Sequence, residues 1–207
     1  MTTTSNWAAR AVLAGLSVGL ASGCSSGGPA AELEGTVTPV YDETTGRLTA
    51  LESDVNGDGE VDTRAHMSGV ELQYIEIDRN FDSRFDRWEY YVAAPDTPAA
   101  TLSPDGRSVL DHAEEANGAD ETITRWEFYI DGVIRRVEED VDLNGQADKW
   151  EDYVGGRLAI MSLDLEGAGY ATRRLVYGTQ GDVERVEQDL DGDAQFEPVV
   201  TGAGGGS

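Results

Sequence analysis

The chain has 207 residues and a formal net charge of −25, because 40 aspartates and glutamates outnumber 15 lysines and arginines. Such a charge argues against nucleic acid and anionic membrane surfaces as partners, since their phosphates would be repelled, and bound cations would relieve the self-repulsion of a compact fold. The single cysteine leaves no disulfide framework.

The N-terminus has the features of a secretory signal rather than of a folded element. Arg10 supplies a positive charge, and residues 11–22 form an uncharged apolar stretch that is too short to span a bilayer as a helix. The stretch ends in Leu20-Ala21-Ser22-Gly23-Cys24, which resembles the lipobox of bacterial lipoproteins. The resemblance implies that residues 1–23 are removed and that the Cys24 thiol carries a lipid. The mature chain is then anchored to a membrane outside the cytoplasm, the outer membrane if the cell has one; the alternative is an ordinary cleaved signal with an incidental cysteine.

A repeat of 24 residues organises most of the remaining chain. Its six acidic segments begin at Asp54, Asp78, Ala116, Asp140, Asp164 and Asp189. The spacings between these starts are 24, 38, 24, 24 and 25 residues, and an insertion at 92–106, which contains three prolines, explains the longer one. We therefore expect a flexible tether over residues 24–36, a repeat domain over residues 37–200 with a loop insertion at 92–106, and a flexible Gly-rich tail over residues 201–207.

Between the acidic segments the sequence predicts β-hairpins. Aromatic and β-branched runs flank two-residue turn sequences such as Asp131-Gly132, which favour a tight hairpin. The chain is therefore predicted to be mainly β, an antiparallel β-meander of six hairpin repeats of 24 residues joined by acidic loops. Apolar residues also recur at a spacing of three, as at Leu158 and Met161, which fits a short helix face. The alternative is therefore an array of short helices similar to EF-hand or dockerin modules.

The acidic segments place oxygen ligands at alternate positions of a tight loop. Positions 1, 3, 5 and 9 carry Asp, Asn or Glu in four segments, and a backbone carbonyl at position 7 can add a further ligand. The candidate ligands are Asp54, Asn56, Asp58, Glu60 and Asp62 in the first segment, Asp78, Asn80, Asp82 and Asp86 in the second, Asp140, Asp142, Asn144, Gln146 and Asp148 in the fourth, and Asp189, Asp191, Asp193 and Glu197 in the sixth. The third segment keeps only Asp120 of these residues and the fifth keeps only Asp164 and Glu166, so we expect them to hold no ion.

This pattern resembles the calcium loop of EF-hand proteins and the Asp-rich calcium loops of dockerin and thrombospondin type 3 repeats. The resemblance covers the loops and not the whole chain, and it implies Ca²⁺ as the bound ion. An all-oxygen ligand set also favours Ca²⁺ over zinc or copper, and Mg²⁺ is less apt because it keeps most of its water. The alternative is that the segments are polar turns without an ion, since Asp, Asn and Gly form turns on their own account.

Three strand segments share a basic residue, a tryptophan and a glutamate in succession. We expect each glutamate to pair with the basic residue two positions earlier on an exposed strand face, at about 0–1 kcal/mol per pair. The pairs are Arg87–Glu89, Arg125–Glu127 and Lys149–Glu151. The tryptophans recur at a fixed repeat position, so we expect them in the core, with an aromatic ladder for sugars as the alternative. They are Trp88, Trp126 and Trp150.

Nothing in the sequence predicts catalysis. His66 and His112 are isolated in the sequence and expected at the surface, no thiol nucleophile remains once Cys24 is lipidated, and the calcium spacing accounts for the paired acids. We therefore expect not an enzyme but a calcium-binding, lipid-anchored extracytoplasmic repeat protein, a structural or interaction module at the cell envelope. Its expected partners are the membrane through the lipid, calcium ions, and an envelope protein or polymer. The alternatives are a metal-free acidic repeat scaffold and an envelope carbohydrate or polymer binder.

Overall fold

The computed structural model describes residues 36–93, 108–117 and 122–199. Within these residues every regular element is a β-strand, and the strands form one open antiparallel sheet in which each pairs with its neighbours in sequence. The mainly β meander is therefore confirmed, and the short-helix array is wrong for this part of the chain. The strands are β1 (Thr36–Tyr41), β2 (Leu48–Asp54), β3 (Thr63–Ser68), β4 (Glu71–Ile77), β5 (Arg87–Ala93), β6 (Ser108–Ala116), β7 (Ile123–Ile130), β8 (Val133–Glu139), β9 (Lys149–Val154), β10 (Arg157–Leu163), β11 (Arg173–Tyr177), β12 (Val183–Gln188) and β13 (Glu197–Pro198).

Several predicted segments lie outside the described residues. They are the signal, Cys24, nearly all of the tether, the C-terminal tail and residues 94–106 of the predicted insertion. β5 extends two residues into that predicted insertion, because Val92 and Ala93 pair with β6. No helix in the described part of the chain is long and apolar enough to cross a membrane.

At one end of the sheet, tight two-residue turns connect β3 to β4, β7 to β8 and β9 to β10. Asp131 and Gly132 have φ angles of 51° and 71°, and Gly155 and Gly156 have φ angles of 58° and 74°. Positive φ at both central residues gives a hairpin turn whose twist matches that of its strands, and it favours glycine, asparagine and aspartate. The Asp-Gly hairpin expected from the sequence is therefore confirmed.

One extra residue recurs within the first four residues of each even-numbered strand. The pairing of β3 with β4 passes from His66–Tyr74 to Met67–Leu72, so the register skips Gln73 and forms a β-bulge. The skipped residues are Thr49, Gln73, Asp111, Arg135, Ala159 and Glu184. Their spacings are 24, 38, 24, 24 and 25 residues, so the bulges follow the same period as the acidic segments.

The bulge also explains the apolar spacing of three that fits a helix. A residue inserted between two inward-facing positions moves the second from i+2 to i+3. Leu72 and Ile75 in β4 both face the core and are 4% and 0% exposed, and Leu110 and Ala113 repeat the arrangement in β6. The spacing of three is therefore a property of bulged strands in this chain.

The core lies on one face of the sheet. Its buried cluster consists of Ala65, Leu72, Ile75, Tyr91, Leu110, Ala113 and Tyr129. The three tryptophans stand on the opposite face, where they are half-buried and lie across from glutamates such as Glu114, the partner of Trp88. The prediction that they form the core is wrong, because the alternation along β5 places Glu89 rather than Trp88 on the core face, across from Ile75.

Candidate metal centres at the loop end of the sheet

The acidic segments all lie at the end of the sheet opposite the tight turns. Each connects an even-numbered strand to the strand that follows it. Successive loops are two strands apart, which places them about 9.6 Å from one another along this end. We call them loop 1 (54–62), loop 2 (78–86), loop 3 (116–124, described in part), loop 4 (140–148), loop 5 (164–172) and loop 6 (189–197).

The aspartate at position 1 closes each fully described loop by accepting backbone hydrogen bonds. In loop 4 the N–H groups of Asn144 and Gly145 donate to Asp140 at 3.1 and 2.8 Å. The same role is filled by Asp54, Asp78, Asp164 and Asp189. Position 1 is therefore required by the turn itself, whatever else it binds.

Position 9 anchors the start of the loop. In loop 4 the N–H groups of Val141 and Asp142 both donate to Asp148 at 3.0 Å, and loop 1 has the equivalent pair of bonds. In loop 5 a threonine replaces the aspartate, and the N–H of Leu165 donates to Thr172 Oγ1 at 3.2 Å. The turn thus forms with or without a carboxylate at position 9.

Backbone hydrogen bonds join neighbouring loops. The N–H at position 1 donates to the carbonyl at position 9 of the preceding loop, as from Asp164 to Asp148 at 2.7 Å and from Asp78 to Asp62 at 2.7 Å. The contact recurs at every junction between successive loops. The loops therefore form one continuous row, and the position of each depends on its neighbours.

Loops 4 and 6 each bring three carboxylates together. In each group, one oxygen from every aspartate lies within 4.8 Å of the others. The groups are Asp140, Asp142 and Asp148 in loop 4, and Asp189, Asp191 and Asp193 in loop 6. Because Ca²⁺ binds oxygen at 2.3–2.6 Å, two oxygens on one ion lie at most about 5 Å apart. Both groups therefore have the dimensions and the donor chemistry to hold a metal ion.

The acidic residues predicted as ligands in loops 1 and 2 do not form such a group. Among the described residues, no further group of three acids or histidines meets that distance. In loop 1 the amide of Asn56 donates to Asp58 at 3.0 Å, and in loop 2 the Arg79 guanidinium donates to Asp86 at 3.1 Å, which brings a positive charge to the loop. Glu197 lies in β13 and is not a member of the group in loop 6.

Loop 5 keeps the turn without the ligand set. Its Asp164 accepts N–H donation from Ala168 at 3.0 Å and Gly169 at 2.7 Å. Burial raises the pKa of this carboxyl, but the backbone donors outweigh burial and hold the pKa below its ordinary value of 3.8. Backbone amides therefore stabilise the charged form of Asp164.

Sequence reasoning missed a buried network of charges on the core face. The predicted pair of Arg87 and Glu89 is present at 2.8 Å, but the two residues are 6% and 1% exposed. Arg87 also donates to Glu127 of β7 at 3.0 Å and contacts Glu115 of β6. The pairing of Arg87 with Glu89 is confirmed, whereas the prediction that the pair is exposed is wrong, because the register turns both residues towards the core.

In three strands a tyrosine hydroxyl donates to the glutamate two residues before it. The bonds are Tyr91 to Glu89 at 2.8 Å, Tyr129 to Glu127 at 2.8 Å and Tyr153 to Glu151 at 2.7 Å. The sequence contains a signal for this contact: in each strand a tyrosine follows the glutamate by two residues, which places both side chains on the same strand face. Burial raises the pKa of Glu127, but Arg87 and the hydroxyl of Tyr129 outweigh burial and hold it below the ordinary value. Burial, and then the charge of Glu127, raise the pKa of Tyr129.

The sequence predicts that the two histidines are isolated at the surface. In the structure they instead belong to an aromatic row on the face opposite the core. His66 stacks on Tyr74 with ring centroids 4.0 Å apart, and His112 stacks on Tyr90 at 4.4 Å. The two tyrosine rings are 5.9 Å apart. The ring of His66 also lies 2.8 Å from Glu76. These cross-strand contacts stabilise the sheet and give both histidines a structural role.

No family model and no curated protein matches the chain. Among solved structures, the chain is similar to a GtfA/B complex crystallised with UDP and GlcNAc, at 13% identity and a TM-score of 0.21. The match covers 77% of this chain and 28% of that one. A likeness at this TM-score supports no argument about fold or function.

Proposed function

We propose that loops 4 and 6 bind Ca²⁺ and that the protein is a lipid-anchored, extracytoplasmic repeat module with a structural or interaction role at the cell envelope. The observation that carries the proposal is the convergence of Asp140, Asp142 and Asp148 within 4.8 Å. Carboxylates at that distance repel one another by roughly 1–4 kcal/mol per pair at surface-like dielectric. A cation bound among them reverses the sign of that interaction.

The choice of Ca²⁺ follows from the oxygen atoms that would bind the ion. Each carboxylate oxygen has two lone pairs, so an oxygen that accepts one backbone N–H can still bind a metal ion. Ca²⁺ accepts many oxygen ligands in a flexible geometry, whereas Mg²⁺ demands an octahedron and keeps water. Loop 6, with Asp189, Asp191 and Asp193, is the second site, and loops 1 and 2 are weaker ones.

The envelope setting rests on the lipobox-like sequence that ends at Cys24. A lipid there holds the repeat domain at a membrane outside the cytoplasm, where modules bind calcium at about 10⁻⁴–10⁻³ M. In millimolar calcium, a site with a dissociation constant of about 10⁻⁴ M adds about 1.4 kcal/mol to the free energy of unfolding. The proposal assigns no catalytic activity to the chain.

A metal-free acidic scaffold is the second candidate, and loop 5 favours it. Asp164 and Thr172 hold that loop in the common conformation through backbone N–H groups alone. If backbone hydrogen bonds alone hold the other loops as well, their aspartates are turn residues, and calcium does not change the stability of the protein.

Calcium titration of the full chain separates the two candidates. We expect heat of binding in isothermal titration and a rise in melting temperature in millimolar Ca²⁺ over EDTA, with a smaller rise in Mg²⁺. Asp142→Asn and Asp191→Asn keep an oxygen acceptor and remove a charge, so each is expected to abolish about one site. Asp131→Asn is the matched control, because this turn residue has φ 51°, which asparagine tolerates. Melting curves that coincide in EDTA and calcium would leave the scaffold as the function.

A further inference from the structure

Apolar side chains are exposed at a fixed position of the acidic loops. Position 2 is Val141 in loop 4 and Leu165 in loop 5, and these residues are 59% and 56% exposed. Val55 in loop 1 and Leu190 in loop 6 are also exposed at this position. The stability of the fold does not account for apolar residues at this position, because an exposed apolar side chain gains little of the free energy that burial provides.

Leu143 adds a conformational cost to the same surface. It occupies position 4 of loop 4 at φ 63°, where loops 1, 5 and 6 have glycine. A non-glycine residue in the left-handed region loses free energy, and Leu143 is 58% exposed, so packing within the chain does not offset the loss. Phe81 repeats the arrangement in loop 2 at φ 60°. Strain kept at an exposed apolar residue indicates contact with a partner.

Two open grooves flank loop 4. The groove between loops 4 and 5 has a volume of about 480 Å³, and its lining includes Val141, Leu165 and Asp142. The groove between loop 4 and the described residues of loop 3 has a volume of about 270 Å³, and its lining includes Val141, Leu143 and Glu139. Apolar walls beside carboxylates suit a lysine or arginine side chain, which carries a cationic head on a long aliphatic stem.

Among the described residues, two basic side chains line these grooves, and both are already paired. Lys149 Nζ lies 2.9 Å from Glu139 and 2.9 Å from Glu151, and Arg125 donates to Glu127 at 3.0 Å. The grooves therefore keep the negative character of the chain, whose net charge is −25. This charge disfavours a second copy of the chain and favours a cationic occupant.

The spacing of the loops selects the conformation of that occupant. Successive loops lie about 9.6 Å apart. A polyproline II helix advances about 9.3 Å in its three-residue turn, whereas a β-strand presents the same face about every 6.8 Å. We propose that the grooves on either side of loop 4 dock a basic polypeptide in the polyproline II conformation, with lysine or arginine at every third residue. This surface goes beyond the proposed calcium function and needs no metal ion.

The test is binding of synthetic peptides to the full chain in EDTA, followed by fluorescence anisotropy. The probe is six repeats of Lys-Pro-Pro, and its matched control has the same six lysines and twelve prolines with lysine at every second position followed by a proline tail. We expect the first peptide to bind about tenfold more tightly. Equal affinities, or full displacement of the first peptide by spermine at equal charge, would show an unspecific ionic contact and overturn the proposal.

Variants test the apolar part of the surface. Val141→Ser combined with Leu165→Ser is expected to weaken binding of the Lys-Pro-Pro peptide by about tenfold, while calcium binding in the same variant stays unchanged. Val154→Ser is the control, because Val154 is equally apolar and 65% exposed but lies at the opposite end of the sheet. Leu143→Gly provides a variant that keeps the loop fold, and it is also expected to weaken binding. Unchanged peptide affinity in both groove variants would overturn the proposal.

Discussion

Arg87 of β5 donates to Glu127 of β7 at 3.0 Å, across the intervening strand β6. The residue of β6 that pairs with Glu127 is Ala113, which is 0% exposed. A small side chain at that position leaves room for the guanidinium to pass, and because Arg87 also contacts Glu115 of β6, this one arginine ties three strands together. In a sheet that is open at both edges, such a contact adds cohesion that neighbouring-strand pairing alone does not provide.

Replacing Arg87 with methionine is expected to destabilise the fold strongly. The substitution leaves Glu89, Glu115 and Glu127 without their shared cation, and removing one partner of a buried ion pair costs about 3–5 kcal/mol. Urea denaturation measures the loss. Arg136→Met is the control, because the Arg136 side chain is 43% exposed and an exposed pair contributes about 0–1 kcal/mol. Similar losses in both variants would contradict the role of the buried network.

Stability is expected to fall in acid through the same network. Burial raises the pKa of Glu127, but the charge of Arg87 and the hydrogen bonds that Tyr129 and Arg87 donate hold it below the ordinary value of 4.5 in the folded state. A carboxyl whose pKa is lowered on folding contributes stability above its unfolded pKa and loses that contribution as pH falls through the folded pKa. Unfolding free energies measured from pH 6 to about pH 3 should therefore decrease below about pH 4.5. Glu127→Gln is expected to flatten this decrease, and an unchanged slope would assign the acid sensitivity to other groups.

The sequence predicts the meander, the hairpin turns and the loop row because all three depend on short-range spacing. The direction in which each strand faces depends on register, which the spacing does not reveal. A skipped residue such as Gln73 moves Leu72 and Ile75 to a spacing of three, and the resulting pattern favours a helix. For the same reason the large apolar Trp88 is expected inside and the charged Glu89 outside, while the structure has the reverse. The burial of Glu89 becomes predictable only when Arg87 and the hydroxyl of Tyr91 are known to satisfy it.

Leu143→Gly is expected to stabilise the protein while it weakens the proposed peptide contact. Leu143 has φ 63°, and relief of the left-handed conformation gains about 1–2 kcal/mol, partly offset by about 0.5–1 kcal/mol from the greater entropy of unfolded glycine. The net gain is about 0–1.5 kcal/mol, measured by urea denaturation in EDTA. The reverse change, Gly167→Leu in loop 5 at φ 66°, should cost a similar amount. A loss of stability in Leu143→Gly would mean that the exposed leucine packs within the chain.

Loop 5 allows a calcium site to be added by substitution. It has Asp164 at position 1 and Glu166 at position 3, but Ala168 and Thr172 stand at positions 5 and 9. The hydroxyl of Thr172 already receives the N–H of Leu165, in the place where a carboxylate oxygen of loop 4 receives the corresponding bond. The combined change Ala168→Asp and Thr172→Asp therefore supplies the missing ligands on a backbone that is already in position.

The doubly substituted chain is expected to bind one more calcium ion than the parent in isothermal titration. In EDTA it should be less stable than the parent, because two added carboxylates repel Asp164 and Glu166. Calcium at ten times the dissociation constant should restore about 1.4 kcal/mol. Ala168→Asn combined with Thr172→Asn is the control, since it has the same shape without the charges and should gain little calcium affinity. If the acidic variant loses stability in EDTA and calcium restores none of it, while loops 4 and 6 still bind, then carboxylates at positions 1, 3, 5 and 9 do not suffice for a site.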